Sequence, residues 1–289
     1  MPTLIIGASG LVGGALRNEF PDATGTYLRH AGPGLVPLDI TDAAAVDALV
    51  ARVRPELILL PAAQPAVDRC ELDPDESERV NVGGTGNVAR AAARLGARLV
   101  YFSSDYVFDG AAGPYEVDAA PCPINVYGRH KLAAETLVRA AVADHLIARV
   151  SGVYGYQPDG KNFVMALARL GAAGERMRVP SDQWGTPTYA PSLAAAVREL
   201  AASGHRGIVH PAGPDYLTRI DFARLAAEVF GYDDAFLVPV TTPELEQPAA
   251  RPLRAGVDNR STQALLRTTR LAGAREGLCD MRRCMEAAA

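Results

Sequence analysis

A tyrosine and a lysine four residues apart, Tyr127 and Lys131, form the most informative pair in the sequence. On a helix, residues at this spacing share one face, with Cβ atoms about 5–6 Å apart. Because a nearby ammonium favours the phenolate, we expect Lys131 to lower the pKa of Tyr127 and make it a general acid–base group near neutral pH. The pattern also occurs by chance. Only Lys131 and Lys161 are lysines among 29 basic residues, however, and a compact ammonium suits contact with a nucleotide ribose better than a guanidinium does.

Two serines, Ser103 and Ser104, lie just upstream at the end of a predicted strand. The ligand crevice of an open α/β sheet lies at the carboxyl ends of its strands, so hydroxyls at this place face a ligand. One of the two can donate a hydrogen bond to a substrate carbonyl oxygen and stabilise the charge that develops on it. The alternative is that both serines only end the strand and cap the turn that follows.

A glycine-rich turn joins the first predicted strand to the first predicted helix, with Gly7, Gly10 and Gly13 three residues apart. Glycines here let the backbone approach a pyrophosphate, and the helix N-terminus supplies N–H groups and partial positive charge. We predict that this turn binds a dinucleotide, with Leu11 and Val12 in the first helical turn. The alternative is a glycine turn with a purely structural role.

The end of the second predicted strand indicates which dinucleotide binds. An acidic residue there holds the ribose 2′-hydroxyl of NAD, whereas an arginine accommodates the 2′-phosphate of NADP. The segment 25–30 has no carboxylate and contains Arg29. Arg29 is therefore a candidate phosphate clamp, which favours NADP(H) and leaves NAD(H) open; the alternative is a solvated surface arginine. Asp39 and Ile40 could flank the adenine, or Asp39 could cap the turn before the next helix.

These residues need a regular framework to position them, and the first 150 residues show strand and helix patterns in alternation. Strands are predicted at 3–7, 24–28, 57–60, 98–102 and 145–150. Helices are predicted at 11–20, at 42–52 with Thr41 as N-cap, within 74–95 and at 125–141. Such alternation predicts an α/β fold, a Rossmann-type doubly wound parallel sheet covered on both faces.

The rhythm changes after residue 150, where glycine and proline become frequent. Loops are predicted at 154–161 and 239–252, helices at 163–172, 191–202 and 220–230, and a strand near 207–210; the residues after Leu278 are expected to fray. We therefore expect a dinucleotide-binding domain at 1–150 and a smaller C-terminal substrate-binding lobe at 151–289. The segment 181–203 is expected to return to the first domain.

Composition excludes several classes of protein. With 289 residues, 48% of them hydrophobic and 21% charged, the chain can bury a core and is not disordered as a whole. A net charge of −4 argues against nucleic acid as a partner. No apolar run approaches the roughly 20 residues of a membrane helix, and the N-terminus lacks signal-peptide features, so we expect a cytoplasmic protein. Four scattered cysteines indicate free thiols and no structural metal.

Together these motifs resemble the extended short-chain dehydrogenase/reductases, and among them the dTDP-4-dehydrorhamnose reductase family. The chain is also similar to the regulatory subunit of methionine adenosyltransferase. The matching pieces span residues 1 to about 260 and are the glycine turn, Ala62-Ala63 with Ala66-Val67-Asp68 and Glu71, Val80-Asn81, Ser103 to Gly110, Tyr127-Gly128 with Lys131-Leu132 and Glu135, Val153-Tyr154-Gly155, Asn162-Phe163, Asp182 to Thr188, and Arg251-Pro252. The stretches from Ser104 to Phe108 and from Asp182 to Thr188 are the most specific of these.

The resemblance implies a catalytic Ser104, Tyr127 and Lys131. Ser104 would polarise a keto oxygen, Tyr127 would donate its proton, and Lys131 would hold the ribose and tune Tyr127. The nicotinamide would deliver hydride to C4 of a sugar. Further contacts implied by the resemblance are Ala62, Ala63 and Gln64 along the cofactor, and Asp105, Tyr106, Asn162 and Arg251 near the substrate.

Three departures from the family pattern bear on the substrate. Pro61 stands where the family usually has asparagine, and Gly152 stands where the reductases commonly have a tryptophan. The loop 155–161 is longer than expected, and Lys161 on it could meet a diphosphate or be a solvated charge.

The leading expectation is an NADPH-dependent reductase of a nucleotide-linked 4-keto-6-deoxysugar. A homodimer is an option for its assembly. Two alternatives remain: a cofactor-binding regulatory subunit of a partner enzyme such as methionine adenosyltransferase, and a sugar-nucleotide epimerase.

Overall fold

The computed structural model describes residues 1–158 and 160–288. The strands of this part of the chain are β1 Thr3–Ile5, β2 Thr24–Tyr27, β3 Leu35–Pro37, β4 Leu57–Leu60, β5 Arg98–Ser104, β6 His145–Val150, β7 Val153–Tyr154, β8 Met177–Pro180, β9 Trp184–Gly185, β10 Thr188–Tyr189, β11 Gly207–Val209, β12 Leu217–Thr218 and β13 Leu237–Val240. Its helices are α1 Leu11–Glu19, α2 Ala43–Val53, α3 Val67–Leu72, α4 Pro74–Glu78, α5 Thr85–Leu95, α6 Val126–Ala141, α7 Phe163–Ala173, α8 Ala190–Ala202, α9 Arg219–Phe230, α10 Arg260–Leu265 and α11 Ala274–Ala288.

The framework is a seven-stranded sheet with the order β11-β6-β5-β4-β1-β2-β3, in which every neighbouring pair is parallel. Helices α2, α5 and α6 cover one face, where Val46, Val88 and Val138 enter the core. Helices α1 and α8 cover the other face through Leu16 and Leu193. Burial on both faces explains why the central strands are apolar throughout. The expected α/β doubly wound sheet is confirmed, and its strand order reverses at β1, where such folds open a ligand crevice.

Most elements of the first half lie where the sequence predicts them, and β4 and β6 match residue for residue. The cap of α2 is a correction, since Asp42 rather than Thr41 begins that helix. The Asp42 carboxylate accepts the backbone N–H of Ala45 at 3.0 Å, whereas the Thr41 hydroxyl donates to Asp39 at 2.8 Å. The short edge strand β3 was not predicted, because three residues carry too little periodicity.

The helical pattern at 74–95 is not one regular helix. Between α4 and α5 the backbone forms a π-helical segment, Arg79–Gly84, with wider turns. Single π-helical turns inside α-helices occur frequently at functional sites, and this one carries the buried Asn81 towards the loop that follows β4.

The second half builds a separate apolar cluster from α7, α9 and α11, in which Leu167, Phe222, Leu278 and Met281 are buried. The expected fraying after Leu278 is wrong, because α11 continues to Ala288. The apolar face of α11, which includes Leu278 and Met281, packs against α9. The expected loop at 239–252 is also partly wrong, since β13 pairs with β8 and ends at residue 240. In the expected loop at 154–161, position 159 lies outside the described residues.

Part of the second half returns to the large sheet. Helix α8 packs against α1, and β11 pairs with β6 in parallel, with Ile208 opposite Ile147. The neighbouring residues 184–189 instead pair with β7 and β12. None of the helices described is long and apolar enough to cross a membrane.

Candidate active site

A cavity of about 420 Å³ lies at the carboxyl ends of β4, β5 and β6. Cavities of roughly 300–1,000 Å³ are typical of small-molecule sites. One wall carries the residues with predicted chemistry, Ser104, Tyr127 and Lys131. Other lining residues come from the second half of the chain and include Trp184 and Arg219. The sheet therefore brings the predicted catalytic residues together at one cavity.

Lys131 lies on α6 and is 2% exposed. Its ammonium donates to the carbonyl oxygen of Phe102 at 2.6 Å and lies 4.2 Å from the centre of the Tyr101 ring. Burial lowers the pKa of Lys131 to about 7, against the opposing charge of Glu135. The ammonium is thus held at the end of β5, one helical turn from Tyr127, and only part of the population carries the charge at neutral pH.

Tyr127 is half-buried on the first turn of α6, and burial raises its pKa above the ordinary value of 10. The Ser104 hydroxyl acts in the opposite direction, and the charge of Asp105 adds to the increase. The expectation that Lys131 lowers this pKa is therefore wrong in direction. The physical reason is that the cavity wall disfavours both charged forms, the phenolate and the ammonium.

The start of α6 fixes the position of Tyr127. Asn125 caps the helix by accepting the N–H of Gly128 at 2.8 Å and donates to the Ala250 carbonyl at 2.8 Å. A Cβ on Gly128 would lie 2.1 Å from the carbonyl oxygen of Tyr106. Glycine at this position lets the helix pack directly against the turn that follows β5.

Ser104 ends β5 at the cavity, and its hydroxyl has two neighbours. It donates to the Asp105 carboxylate at 3.1 Å and accepts the N–H of Tyr106 at 3.2 Å. The serine therefore caps the turn as well as lining the cavity. Asp105 is buried, accepts the N–H of Gly256 at 3.1 Å, and has its pKa raised by burial. The Tyr106 ring contacts that of Tyr127 edge to face, with 5.9 Å between the ring centres. Asp105 and Tyr106, both predicted to contact the substrate, thus line the cavity.

Behind Lys131 lies a buried network that the sequence did not predict. Glu135 accepts the hydroxyl of Ser103 at 2.5 Å and forms a bidentate pair with Arg149 at 2.9 and 2.7 Å. Both side chains of that ion pair are 2% exposed. Glu135 follows Lys131 by one turn and Tyr127 by two, so the spacing placed all three on one face of α6. The spacing of Glu135 from Lys131 was therefore a usable signal, but the sequence did not show that Arg149 on β6 is its partner.

The glycine turn has the shape of a phosphate cradle. A Cβ on Gly13 would lie 2.1 Å from the Gly7 carbonyl oxygen, and Gly7 itself has φ +96°. The first turn of α1, beginning at Leu11 after Gly10, carries no acidic side chain. Val12 in this first turn lines the cavity, and the N-terminus of a helix supplies the N–H groups and partial positive charge that the phosphates of a dinucleotide require.

The residues predicted for the adenine end lie after β2 and β3. Arg29 is exposed, with its guanidinium 4.0 Å from the Glu76 carboxylate. Asp39 accepts both the N–H and the hydroxyl of Thr41 at 2.8 Å, so it does cap this turn. Ile40 is buried in the core cluster under the sheet.

The loop after β4 is fixed by Asn81 on the π-helical segment. Its side chain accepts the N–H of Gln64 at 2.9 Å and donates to the Gln64 carbonyl at 3.2 Å. This contact orients the backbone of residues 62–64, and Pro61 and Ala63 lie at the cavity. Ala62 packs beneath the glycine turn, its Cα 3.0 Å from the position a Gly7 Cβ would take.

The two other predicted substrate residues differ in placement. Asn162 lies at the cavity, caps α7 through the N–H of Met165 at 3.3 Å and donates to the Gly155 carbonyl at 2.9 Å. Arg251 is instead 8% exposed and forms an ion pair with Asp68 at 2.7 Å. Arg251 is therefore not one of the described residues that line the cavity. Its ion pair with Asp68 links the second half of the chain to the first.

Gly152 and Pro61 both line the cavity. Gly152 has φ +50°, and a Cβ there would contact only Pro187, at 3.7 Å. Within the described ranges no group of three or more His, Cys, Asp or Glu residues is placed to hold a metal ion. The four cysteines are free thiols, of which Cys70 is buried.

Comparison with known proteins gives relatives over nearly the whole chain. The family profile of the RmlD substrate binding domain matches residues 1–283. A dTDP-4-dehydrorhamnose reductase from Mycolicibacterium smegmatis is 37% identical over 96% of this chain and 84% of its own length. Methionine adenosyltransferase 2 subunit beta of Rattus norvegicus is 32% identical, covering 88% of this chain and 79% of its own. A crystal structure of dTDP-4-dehydrorhamnose reductase from Bacillus anthracis in complex with NADP has a TM-score of 0.89 at 31% identity, over 97% of this chain and 99% of that one.

Proposed function

Because the chain belongs to the RmlD substrate binding domain family, we propose that it is an NADPH-dependent reductase of a nucleotide-linked 4-keto-6-deoxysugar. It is accordingly an NAD(P)-dependent oxidoreductase that acts on a carbonyl group. The observation that carries the proposal is the meeting of Ser104, Tyr127 and Lys131 at one cavity, beside a glycine turn shaped for phosphates.

The side chains at the cavity suit carbonyl reduction. When bound, NADPH supplies the hydride. By turning from the Asp105 carboxylate, the Ser104 hydroxyl can donate its hydrogen bond to a carbonyl oxygen in the cavity, which stabilises negative charge developing there. Tyr127 carries its proton at neutral pH, since burial raises its pKa further above the ordinary value of 10, and it acts as the proton donor to the same oxygen. Lys131, held by the Phe102 carbonyl, presents its ammonium to the ribose beside them.

We propose a division of binding between the halves of the chain. Residues 1–150 hold the dinucleotide, with the pyrophosphate at the glycine turn and residues 62–64 along the cofactor. Residues 151–289 mainly contact the substrate, and helix α8, within the segment 181–203, rejoins the first domain. Asp105, Tyr106 and Asn162 support the sugar from the cavity wall, and Arg251 acts through its pair with Asp68.

Arg29 is proposed to select NADP(H) by binding the 2′-phosphate. Its guanidinium is exposed after β2 and has only a 4.0 Å contact with Glu76. An exposed charge-assisted contact of this kind corresponds to about a tenfold change in affinity. Arg29→Ala is therefore expected to raise KM for NADPH about tenfold and to leave KM for NADH unchanged. Equal changes for both cofactors would contradict this role.

Tyr127→Phe tests the reductase directly. Removing the phenolic proton should reduce kcat by a factor on the order of 10²–10⁴ in NADPH oxidation with a 4-keto-6-deoxysugar nucleotide. NADPH affinity, followed by cofactor fluorescence, should stay at the wild-type value. The matched control is Tyr232→Phe, which removes a phenolic hydroxyl from the second half of the chain away from the cavity wall. Unchanged turnover in Tyr127→Phe would refute the proposal.

A second candidate is a regulatory subunit, favoured by the 32% identity to methionine adenosyltransferase 2 subunit beta. Under this reading the chain binds NADP(H) and a partner enzyme without turning over a sugar. Co-purification of such an enzyme at 1:1 stoichiometry, without NADPH oxidation across a panel of 4-keto sugar nucleotides, would favour it over the reductase.

A further inference from the structure

Arg219 is a cation on the cavity wall that the reduction chemistry above does not use. It is the first residue of α9 and lines the same cavity as Ser104 and Tyr127. Its guanidinium lies over the Phe163 ring, 4.5 Å from the ring centre, and its backbone N–H donates to Gln183 at 2.7 Å. The backbone contact fixes the start of α9 and the stacking on Phe163 positions the guanidinium, so both are set before any ligand arrives.

The charge of Arg219 is not neutralised within the protein as described. Over residues 1–158 and 160–288, no carboxylate oxygen lies within 4.0 Å of its guanidinium nitrogens and none of these nitrogens donates a hydrogen bond. The two buried arginines near the cavity behave differently, since Arg149 pairs with Glu135 and Arg251 with Asp68. Burial lowers the pKa of Arg219 and Arg251 adds to that effect, whereas Tyr106 and the Asp105 charge oppose it without reversing it. A half-buried cation with no carboxylate in direct contact is costly, which points to an anionic ligand.

The neighbours of Arg219 indicate which anion. Strands β9 and β12 pair so that Thr218, the residue before Arg219, lies opposite Trp184, and Trp184 and Arg219 both line the cavity. Trp184 lines the cavity, is 37% exposed, and lies against Tyr216 at 5.2 Å. The cavity therefore combines the catalytic residues, the planar guanidinium of Arg219 and the partly exposed indole of Trp184. A sugar nucleotide has the corresponding parts, namely a sugar, a diphosphate and a planar base.

We propose that Arg219 binds the diphosphate of the substrate and so selects nucleotide-linked sugars over free ones. This inference rests on the proposed function and deepens it. A guanidinium presents paired N–H donors that match phosphate oxygens, which an ammonium does not. The contact is made to a group remote from the reacting carbon, so it acts mainly on KM rather than on kcat.

The test measures binding of nucleoside diphosphates to NADP⁺-loaded protein by calorimetry, without turnover. The probes are dTDP, UDP and GDP, and for whichever binds, the matching nucleoside without phosphates. Arg219→Met should weaken nucleoside diphosphate binding about 10- to 100-fold and leave nucleoside binding unchanged. Arg219→Lys should recover only part of the loss. The control is Arg224→Met on the same helix, whose guanidinium lies near Asp221 and Asp234 at the surface, and which should bind all probes as the wild type does.

The outcomes separate this inference from the proposed function. If wild type reduces 4-keto sugar nucleotides and Arg219→Met, folded by circular dichroism and binding NADPH normally, keeps the wild-type KM and diphosphate affinity, the inference is overturned and the function stands. If Arg219→Met loses diphosphate binding but wild type reduces no sugar, the inference stands and the function fails. If Arg219→Met keeps the wild-type affinity for nucleoside diphosphates but has a raised KM for the sugar nucleotide, Arg219 contacts the sugar rather than the diphosphate, and the inference is overturned. Wild-type protein that binds no nucleoside diphosphate would overturn it as well.

Discussion

Replacing Lys131 with methionine tests how much stability the protein gives up to keep an ammonium at its cavity. The side chain is 2% exposed, and burial lowers its pKa from the ordinary 10.5 to about 7. Because the folded protein holds this proton less tightly than the unfolded chain, folding releases it between about pH 7 and 10.5. The free energy of unfolding therefore rises with pH through that window. Methionine has a similar volume and no proton to lose, so Lys131→Met should lack this pH dependence.

The pKa difference sets the magnitude. Relative to an uncharged side chain, burying the lysine costs about 4 kcal/mol at pH 7 and about 2 kcal/mol at pH 9. The stability of Lys131→Met relative to wild type is therefore expected to fall by about 2 kcal/mol between these two pH values. The hydrogen bond to Phe102 and the contact with Tyr101 change the absolute difference between the two proteins but contribute little to its change with pH.

Urea unfolding of cofactor-free protein at pH 7 and pH 9, followed by circular dichroism, measures this change. Subtracting wild type from variant at each pH cancels the titration of all other groups. Lys161→Met is the matched control, because it makes the same substitution at the exposed lysine on the loop after β7 and so shows what the substitution does without burial. A Lys131→Met effect that differs by less than about 0.5 kcal/mol between pH 7 and pH 9 would refute a lysine that titrates in this range.

Three further substitutions test the framework of the site. Gly13→Ala should abolish NADPH binding in fluorescence titrations, since its Cβ would lie 2.1 Å from a backbone oxygen, whereas Gly14→Ala, with nothing within 4 Å, should bind normally and be more stable by about 0.5–1 kcal/mol. Glu135→Gln should lower the free energy of urea unfolding by about 3–5 kcal/mol, because it leaves the buried Arg149 guanidinium without its carboxylate; a loss below 1 kcal/mol would contradict this. Gly128→Ala should lower both stability and kcat, and unchanged kinetics would show that the close approach of α6 to the preceding turn is unimportant.

The first half of the fold was predictable because local patterns determine it. The apolar runs of β4 and β6 are buried on both faces, and such runs are recognisable in a single sequence. The edge strand β3 and the π-helical segment were missed because their lengths and backbone geometry depend on pairing and packing with distant residues. Helix α11 was missed because a segment rich in charged residues hides an apolar face, which only its contact with α9 reveals.

Local spacing also predicted which residues come together at the cavity, but it did not predict their pKa values. Tyr127 and Lys131 share a helix face because of their spacing alone. The pKa of each depends on burial and on contacts that the sequence keeps far apart, such as the Phe102 carbonyl, 29 residues before Lys131. The partner of Glu135, Arg149, likewise comes from the next strand.

The corrected electrostatics define the protonation state from which catalysis starts. A tyrosine whose pKa were lowered to neutrality by its lysine would be partly ionised before the substrate binds. Burial instead raises the pKa of Tyr127 and lowers that of Lys131 to about 7, so at neutral pH the phenol keeps its proton and the lysine is only partly charged. A phenol can give its proton to a neighbouring oxygen on which negative charge develops, and the Lys131 charge eases that transfer by favouring the phenolate that forms. Tyr127, Lys131 and Ser104 can therefore serve the reduction of a ketone, and by microscopic reversibility the same groups serve the reverse oxidation.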